Sequence, residues 1–335
     1  MKSSVAIYRV DSGIDRAVTS AMDTIGWTEI ITRDTPVCIK VNLTHDLLLP
    51  GSIVSPAVAR AVCLTMLDRI DSLVLAESSQ VVTDADKAYR VSGYERTFRD
   101  MPVRWHNMTH HPYHAVTIDD ERLLLPDIIS SHQMVNLCVM KTHFRSVISG
   151  ALKNFWGFLE TGRERFHADL PRKIAQLHTH IPSALHIMDG VIAMEGNGPK
   201  SGIPREVGLV MASRDPVALD SVAARLMGFD PAVIEHIQHC AERDLGVWTT
   251  EDIEILGDME ILESLHFKPA RKNFVARMED IFKRLGFSGS TRTGGGMKLL
   301  SWGARQWYQF AYAAFGTKRR IDRFIENAHF DGGWK

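Results

Sequence analysis

Short runs of apolar, mostly β-branched residues recur along the first two thirds of the chain. They occupy residues 5–10, 36–41, 72–76, 134–140, 184–188 and 207–212. Runs of this length are typical of strands that are buried on both faces. Segments with helical spacing fall between many of them. This alternation predicts an α/β fold, in which a mainly parallel sheet has helices on both faces.

Three of the helical segments have a clear start. A capping residue followed by proline precedes the patterns predicted over 56–69, 216–227 and 231–242. The second pattern stops at Gly228, as helices often do. In a parallel α/β sheet, ligands bind outside the carboxyl ends of the strands. Polar side chains that directly follow the predicted strands are therefore the candidates for a functional site.

The chain from about residue 266 has a different pattern. Three consecutive glycines at 294–296 precede aromatic and basic segments with helical spacing over 297–315 and 319–327. This change predicts an α/β core over 1–265 and a C-terminal helical extension over 266–335. Such an extension can pack on its own core, or dock on a second copy, another partner or a membrane surface.

Composition and charge narrow the class of protein. The chain has 335 residues, of which 45% are hydrophobic and 24% charged, with a formal net charge of −1. This balance is typical of a globular protein, and the lack of a basic excess argues against a nucleic-acid partner. No apolar run is long enough to span a membrane. Four scattered cysteines without a C-x-x-C pair predict a cytoplasmic protein without a disulfide framework.

The first polar segment follows the strand predicted over 134–140. It contains Lys141, Thr142 and His143, and a helix start at 149–150 then brings Lys153 and Asn154. Cations beside a helix N-terminus are typical of an anion site, and His143 could bind a metal or move protons. Two further predicted strands end in polar side chains, with Lys40 and Asn42 after the first and Glu77 after the second.

The second polar segment lies between the strands predicted over 184–188 and 207–212. We predict that Asp189 ends a strand and that Glu195 precedes a glycine-rich loop. Two carboxylates at such a loop suit a divalent metal ion or acid/base chemistry. Asp220 falls one turn into an apolar helix, where a lysine or a metal would compensate its charge. The loop residues expected to shape the pocket are Gly196, Asn197, Gly198 and Gly202.

Two histidine-rich stretches, over 106–114 and 236–240, also have conceivable metal spacing. Neither stretch has a predicted strand end or a glycine loop beside it. We therefore rank both below the two strand-end segments.

Several blocks of this sequence together resemble the domain-of-unknown-function family 362. The resemblance covers about residues 36–246 and rests on IKVNL, LVLAESS, KTHFRSVISGALKNFWG, MDGVIAMEGNGPKSG and RDPVALD. It adds Arg163 and His167, which match a basic-then-histidine piece between these blocks. Many relatives also carry a ferredoxin-like module with iron–sulfur motifs. This chain lacks a C-x-x-C-x-x-C run, so the resemblance does not extend to a cluster held by its own cysteines.

These observations predict an enzyme that acts on a small anionic molecule. Lyase, isomerase or transferase chemistry fits better than hydride transfer, because no dinucleotide motif is visible. Lys141, His143, Lys153 and Glu195 are the predicted catalytic residues. The predicted substrate-binding residues are Lys40, Asn42, Thr142, Asn154, Arg163, His167 and the four loop residues. The predicted metal ligands are Glu77, His143, Asp189, Glu195 and Asp220. A redox component and a non-catalytic scaffold docked through the C-terminal helices stay open as alternatives.

Overall fold

The computed structural model describes residues 2–80, 83–258, 260, 265–271, 303, 306, 312 and 317–334. Its main sheet has the strand order β11-β1-β10-β9-β7-β2-β3-β4, with the short β8 paired to β7, and β5 and β6 form a separate hairpin. The strands are β1 Ser3–Arg9, β2 Val37–Lys40, β3 Leu73–Glu77, β4 Val103–Asn107, β5 Tyr113–Ile118, β6 Glu121–Pro126, β7 Gln133–His143, β8 Val147–Ile148, β9 Ser183–Asn197, β10 Ser201–Ser213 and β11 Ile253–Gly257.

The main sheet is mostly parallel. The pairs β9–β7, β7–β2, β2–β3, β3–β4 and β1–β11 are parallel, whereas β10 is antiparallel to both of its neighbours. The carboxyl ends of β2, β3 and β7 therefore lie along one edge of the sheet. The helices are α1 Ile14–Thr24, α2 Trp27–Ile30, α3 Pro56–Leu67, α4 Ala85–Val91, α5 Tyr94–Phe98, α6 Gly150–Asn154, α7 Leu170–His180, α8 Pro216–Met227, α9 Glu235–Ala241 and α10 Thr317–Asn327.

Helices cover both faces of the sheet, as the sequence pattern predicts. Val37 and Ile39 of β2 pack in one apolar cluster with α1, α3 and α5. Cys38, between them, packs in a second cluster with α6, α7, α8 and α9. Successive strand residues point to opposite faces, so a strand with a helix layer on each side must be apolar at every position. This confirms the predicted α/β class.

The second polar segment differs from its prediction. Asp189 does not end a strand, because β9 continues past it to Asn197 and turns directly into β10. The residues from 191 to 194 are buried, and they continue the pairing with β10 beyond the predicted end. The glycine-rich loop is therefore the tip of a long hairpin. The helix predicted over 231–242 is also interrupted, by a 3-10 turn at Pro231–Val233 before α9.

The C-terminal part packs on the core where it is described. Ile321 of α10 is buried against Leu49 and Met194, and the Gly332 carbonyl accepts a hydrogen bond from the backbone N–H of Ala57 at the start of α3. The helix predicted over 297–315 lies outside the described residues, apart from three isolated positions. Phe267 also packs in the core, and the division at residue 265 stays a prediction. Within the described part of the chain, we find no helix with the length and apolarity that crossing a membrane requires.

Candidate functional site

A buried ion pair joins the ends of β2 and β3. Lys40 Nζ lies 2.8 Å from Glu77 Oε1, and both side chains are almost completely buried. The Glu77 carboxylate also accepts hydrogen bonds from the backbone N–H groups of Leu43 and Ser78, at 3.0 and 2.8 Å. Lys40 Nζ in turn donates to the Val41 carbonyl. The two predicted strand-end residues therefore compensate each other.

Lys141, close to the end of β7, is held by a polar network. Its Nζ donates to Asn42 Oδ1 at 2.8 Å, to Thr44 Oγ1 at 3.0 Å and to the Ser52 carbonyl at 2.6 Å. Asn42 donates to Asn154 Oδ1 at 2.9 Å. Three acceptors use the three N–H groups of a lysine ammonium. The predicted residues Asn42, Lys141 and Asn154 thus lie in one buried network, in which Lys141 has no N–H left for a ligand.

Thr142 connects β7 to the tip of the β9–β10 hairpin. Its hydroxyl donates to the Gly196 carbonyl at 2.8 Å. A Cβ added to Gly198 would come within 2.0 Å of the Thr142 carbonyl oxygen, so only glycine permits this approach. Asn197 accepts a hydrogen bond from the backbone N–H of Arg271. A Cβ added to Gly202 would meet the Met194 side chain. The loop residues therefore shape the hairpin tip against β7.

Lys153 differs from the two other predicted lysines. It is partly exposed, and among the described residues no group accepts a hydrogen bond from its Nζ. Burial, followed by the charges of Arg163, Lys200, Arg145 and Lys40, lowers the pKa of Lys153 to about 7. The influences that we resolve on this amine therefore all disfavour its charged form. We call Lys40, Lys141, Lys153, Arg145, Arg163 and Lys200, together with His143, the cationic cluster.

His143 and Arg163 have defined places in this cluster. His143 Nδ1 accepts a hydrogen bond from the backbone N–H of Arg145 at 3.0 Å. Burial and the neighbouring cations, first Lys153 and then Lys141, lower the pKa of His143 well below its ordinary value. A neutral ring whose Nδ1 accepts carries its proton on Nε2. Arg163 is buried and donates to Ser78 Oγ and to the carbonyls of Leu159 and Ser79.

His167 stacks on Trp156, with 5.7 Å between the ring centroids. Its charge contributes to the lowered pKa of His143, which places it beside the cationic cluster. Its predicted role in substrate binding stays a prediction.

Two of the predicted metal ligands accept hydrogen bonds at helix N-termini. Asp189 accepts from the backbone N–H and the hydroxyl of Ser55, directly before α3, at 2.7 and 2.6 Å. Asp220 accepts from the backbone N–H groups of Ala151 and Leu152 in α6, at 2.6 and 2.9 Å. Burial raises the pKa of Asp189 to about 6 and that of Asp220 to about 7. Free N–H groups of a helix therefore stabilise the Asp220 carboxylate in part, but burial outweighs them. The predicted role of both aspartates as metal ligands stays a prediction.

Among the described contacts, Glu195 forms no hydrogen bond with a residue of the cationic cluster. Its neighbour Met194 is paired in register with Lys141. Its carboxylate forms ion pairs with Arg205 at 2.9 Å and Lys268 at 3.4 Å. Burial raises the pKa of Glu195, but the hydrogen bonds from Lys268 and Arg205 outweigh it and the net shift is downward. The described residues include no group of three or more His, Cys, Asp or Glu side chains that could hold a metal ion. The predicted metal stays a prediction.

The two histidine-rich stretches are divided among separate contacts. His110 contacts Asp86 and His114 contacts Asp127, while the rings of His106 and His111 stack on each other at 3.8 Å. In the second stretch His239 contacts Glu242, and His236 is buried in α9.

Several residues of the network were missed by the sequence analysis. Thr44 and Ser52 bind Lys141, Ser55 binds Asp189, and Lys200 at the hairpin tip donates to Thr83. One signal was available for Thr44, because it continues the alternation of Lys40 and Asn42 beyond β2. The contacts of Ser52 and Ser55 depend on how the loop over 41–55 crosses the ends of β7 and β9, and that of Lys200 on where the hairpin tip meets Thr83; no local pattern encodes either.

An open cleft of about 650 Å³ lies elsewhere, between residues 10–16 and 329–331. It follows β1, which is three strands away from β7 in the sheet. Its lining includes Asp11, Asp15 and Asp331 against Arg16 and His329. This balance does not favour an anion, whereas the cationic cluster does.

The fold and the cluster define a parallel α/β protein with a concentration of positive charge at the carboxyl edge of its sheet. The sequence profile of the family described as "Domain of unknown function (DUF362)" matches residues 37–225, so the chain belongs to this family. A curated relative is the thylakoid-associated protein sll1697 of Synechocystis sp. (strain ATCC 27184 / PCC 6803 / Kazusa), which is 33% identical over 123 residues. That match covers 33% of this chain and 37% of the relative, so it extends over little more than a third of the relative's length.

Proposed function

We propose that the protein binds a small anionic molecule at the cationic cluster and acts on it as an enzyme. The observation that carries this proposal is the environment of Lys153. Its amine is partly exposed, is surrounded by four cations and has no hydrogen-bond acceptor among the described residues. Lys141 and Arg163 also lack a carboxylate partner among the described residues, since their acceptors are neutral oxygens. An anionic ligand would supply the missing negative charge.

The cost of burying positive charge supports this proposal. A buried cation is costly unless it is paired, and the penalty is several kcal/mol for each ion. Lys40 is compensated by Glu77. Burial and the charge of Lys153 instead lower the pKa of Lys141 well below its ordinary value, and Arg163 donates to neutral oxygens. A phosphate or carboxylate group bound near Lys153 would lower the energy of the whole cluster at once. Its affinity should therefore come mainly from charge and should weaken with added salt.

Calorimetric titration with inorganic phosphate and with pyrophosphate tests the proposal. We expect Lys153→Met to weaken binding by roughly tenfold or more, the loss of one charge-assisted hydrogen bond. Lys318→Met is the matched control, because Lys318 is largely exposed and pairs with Asp322 on α10. Equal binding by both variants, or no binding of either anion by the parent protein, would contradict the proposal.

The pH dependence gives an independent readout. Lys153 has a pKa of about 7 in the protein without ligand, and an anion favours its charged form. Below pH 7 the amine is already charged, whereas above pH 7 a proton must be taken up on binding. We therefore expect phosphate affinity to fall as the pH rises from 7 to 9, with proton uptake visible in buffers of different ionisation enthalpy. In Lys153→Met this component should disappear.

The metal and the location are tested separately. Elemental analysis of the purified protein decides whether a divalent metal accompanies the site, as the carboxylates predict.

The cytoplasmic location is a proposal from the cysteine pattern, and the name of the relative associates that protein with thylakoids. Fractionation of cells that express the full chain would decide between a membrane-associated and a cytoplasmic protein.

A further inference from the structure

We infer that Lys153 is a nucleophile that forms an imine with the carbonyl group of an anionic aldehyde or ketone bound in the cationic cluster. This inference rests on the proposed function and names its substrate class. A carboxylate or a phosphate group on the carbonyl compound would satisfy the cluster equally well. The chemistry at the carbonyl is the same in either case.

Lys153 is the lysine of this group that is available for reaction. Lys40 Nζ is occupied by Glu77 and by the Val41 carbonyl, and Lys141 Nζ by three acceptors. Both side chains are about 99% buried. Lys153 is partly exposed and has no acceptor among the described residues. A carbonyl compound can therefore approach its nitrogen without breaking a hydrogen bond that holds the fold.

The surroundings of Lys153 keep its amine neutral, as a nucleophile requires. A lysine becomes nucleophilic near neutral pH when it is desolvated or next to other cations. The groups whose charges interact with that of Lys153 lie on β2, on β7, in the segments after β7 and α6, at the hairpin tip and on α9. They are Lys40, Lys141, His143, Arg145, Arg163, Lys200 and His236. None of these is a carboxylate, so no neighbour among them stabilises the ammonium.

The same neighbours fit the rest of the reaction. The positive charges of these neighbours would hold the anionic group of a carbonyl compound, so that its carbonyl carbon, and not its anionic group, lies next to Lys153. Inorganic phosphate has no carbonyl group and can bind Lys153 itself. The neutral His143 ring carries its proton on Nε2, because Nδ1 accepts from Arg145. Among the neighbouring cations, Lys153 has the largest influence on the pKa of His143, so both side chains belong to the same cluster. His143 can thus donate a hydrogen bond to a carbonyl oxygen under attack, as a neutral histidine does in other enzymes.

The covalent step balances without a further reactant. The nitrogen lone pair of Lys153 forms a C–N bond to the carbonyl carbon, and a proton leaves the nitrogen while the oxygen takes one up, which gives a carbinolamine. The C–O bond then breaks, the hydroxyl group and the remaining N–H proton leave as water, and the C=N bond forms. The imine nitrogen takes up a proton from solvent, which gives a cation that can accept electrons from an adjacent bond. Lyase and isomerase reactions on carbonyl compounds use such an electron sink.

Reductive trapping tests the inference. The full chain is incubated with sodium cyanoborohydride and one of three probes: glyoxylate, glycolaldehyde phosphate or uncharged glycolaldehyde. We expect an adduct on Lys153, located by peptide mass spectrometry, with one or both anionic probes. The neutral probe should react at least roughly tenfold more slowly, since one favourable charge contact of about 1.4 kcal/mol corresponds to this factor. The glyoxylate and glycolaldehyde phosphate reactions show whether carboxylate or phosphate is preferred.

Two variants and the pH profile complete the experiment. Lys153→Arg keeps a positive charge but cannot form the imine, so we expect it to lose the adduct and still bind phosphate. Lys318→Arg should label as the parent does. The trapping rate should level off above pH 7–8, whereas an ordinary surface lysine would react faster up to pH 10. Labelling spread over surface lysines, or equal reaction with the neutral probe, would overturn the inference. Unlabelled Lys153 with intact phosphate binding would overturn the imine alone, and loss of phosphate binding in the parent would overturn the proposed function.

Discussion

Replacing Glu77 with glutamine should destabilise the fold strongly, because it breaks the buried pair with Lys40. The two side chains are 3% and 1% exposed, and Nζ and Oε1 are 2.8 Å apart. The Glu77 carboxylate also accepts two backbone N–H groups, one on each oxygen. A glutamine has one carbonyl oxygen and one NH₂ group. Whichever way it turns, at least one donor among Lys40, Leu43 and Ser78 faces another donor.

The magnitude follows from these contacts. Removal of one partner of a buried ion pair costs about 3–5 kcal/mol, because it leaves an uncompensated charge. An unsatisfied buried donor alone accounts for about 1–3 kcal/mol of such a loss. We therefore expect Glu77→Gln to lower the free energy of unfolding by about 3–5 kcal/mol. This is a large part of the 5–15 kcal/mol that is typical of a native protein.

The pH dependence identifies the cause. Burial lowers the pKa of Lys40, and Glu77 is the strongest of the influences that raise it. Without Glu77 the folded protein should hold Lys40 neutral, while the unfolded chain still binds the proton. Stability rises with pH wherever the unfolded state binds more protons. The loss caused by Glu77→Gln should therefore shrink between pH 6 and pH 9.

Urea unfolding followed by circular dichroism measures this effect. Glu29→Gln is the matched control, because Glu29 pairs with Arg214 at 2.7 Å but is 72% exposed. We expect the control to lose less than about 1 kcal/mol. Our interpretation of the pair as the compensation of Lys40 would be refuted if Glu77→Gln lost no more than the control, or if its loss did not vary with pH.

Three further changes test other parts of the structure. Ser55→Ala removes a 2.6 Å hydrogen bond to the buried Asp189 and should cost about 1.5–3 kcal/mol in urea unfolding; an unchanged midpoint would contradict this contact. Gly198→Ala places a methyl group 2.0 Å from a backbone oxygen and should lower the melting temperature by several degrees. Gly303→Ala, whose added carbon meets no atom of the described residues within 4 Å, should not. Asp220→Asn should gain stability relative to the parent as the pH rises from 4 to 8, because ionisation of a carboxyl whose pKa is raised to about 7 destabilises the fold in that range. A constant difference between Asp220→Asn and the parent would show that Asp220 ionises in the folded protein as it does in the unfolded chain.

The fold class and the strand-end lysines could be predicted because their signals are local. Continuous apolar runs and proline-capped helix starts depend on neighbouring residues only, and the strands around Ile39 and Leu75 follow them. The extent of β9 could not be predicted in this way. Its residues beyond Asp189 remain a strand because β10 folds back on them. Gly196 looks like a loop signal until its pairing with Gly202 is known.

The roles of the polar residues also depend partly on local sequence and partly on tertiary contacts. The sequence by itself determined that Lys40, Lys141 and Lys153 stand near one edge of a parallel sheet, because strand direction and chain order place them there. Only the tertiary structure decided that the Nζ atoms of Lys40 and Lys141 donate to protein acceptors, whereas Nζ of Lys153 has no acceptor among the described residues. The physical reason is that the charge state of a buried group depends on every atom within a few ångströms. Those atoms come from segments more than 80 residues apart in the chain, such as Ser52 and Lys141, whose meeting no local pattern of the sequence specifies.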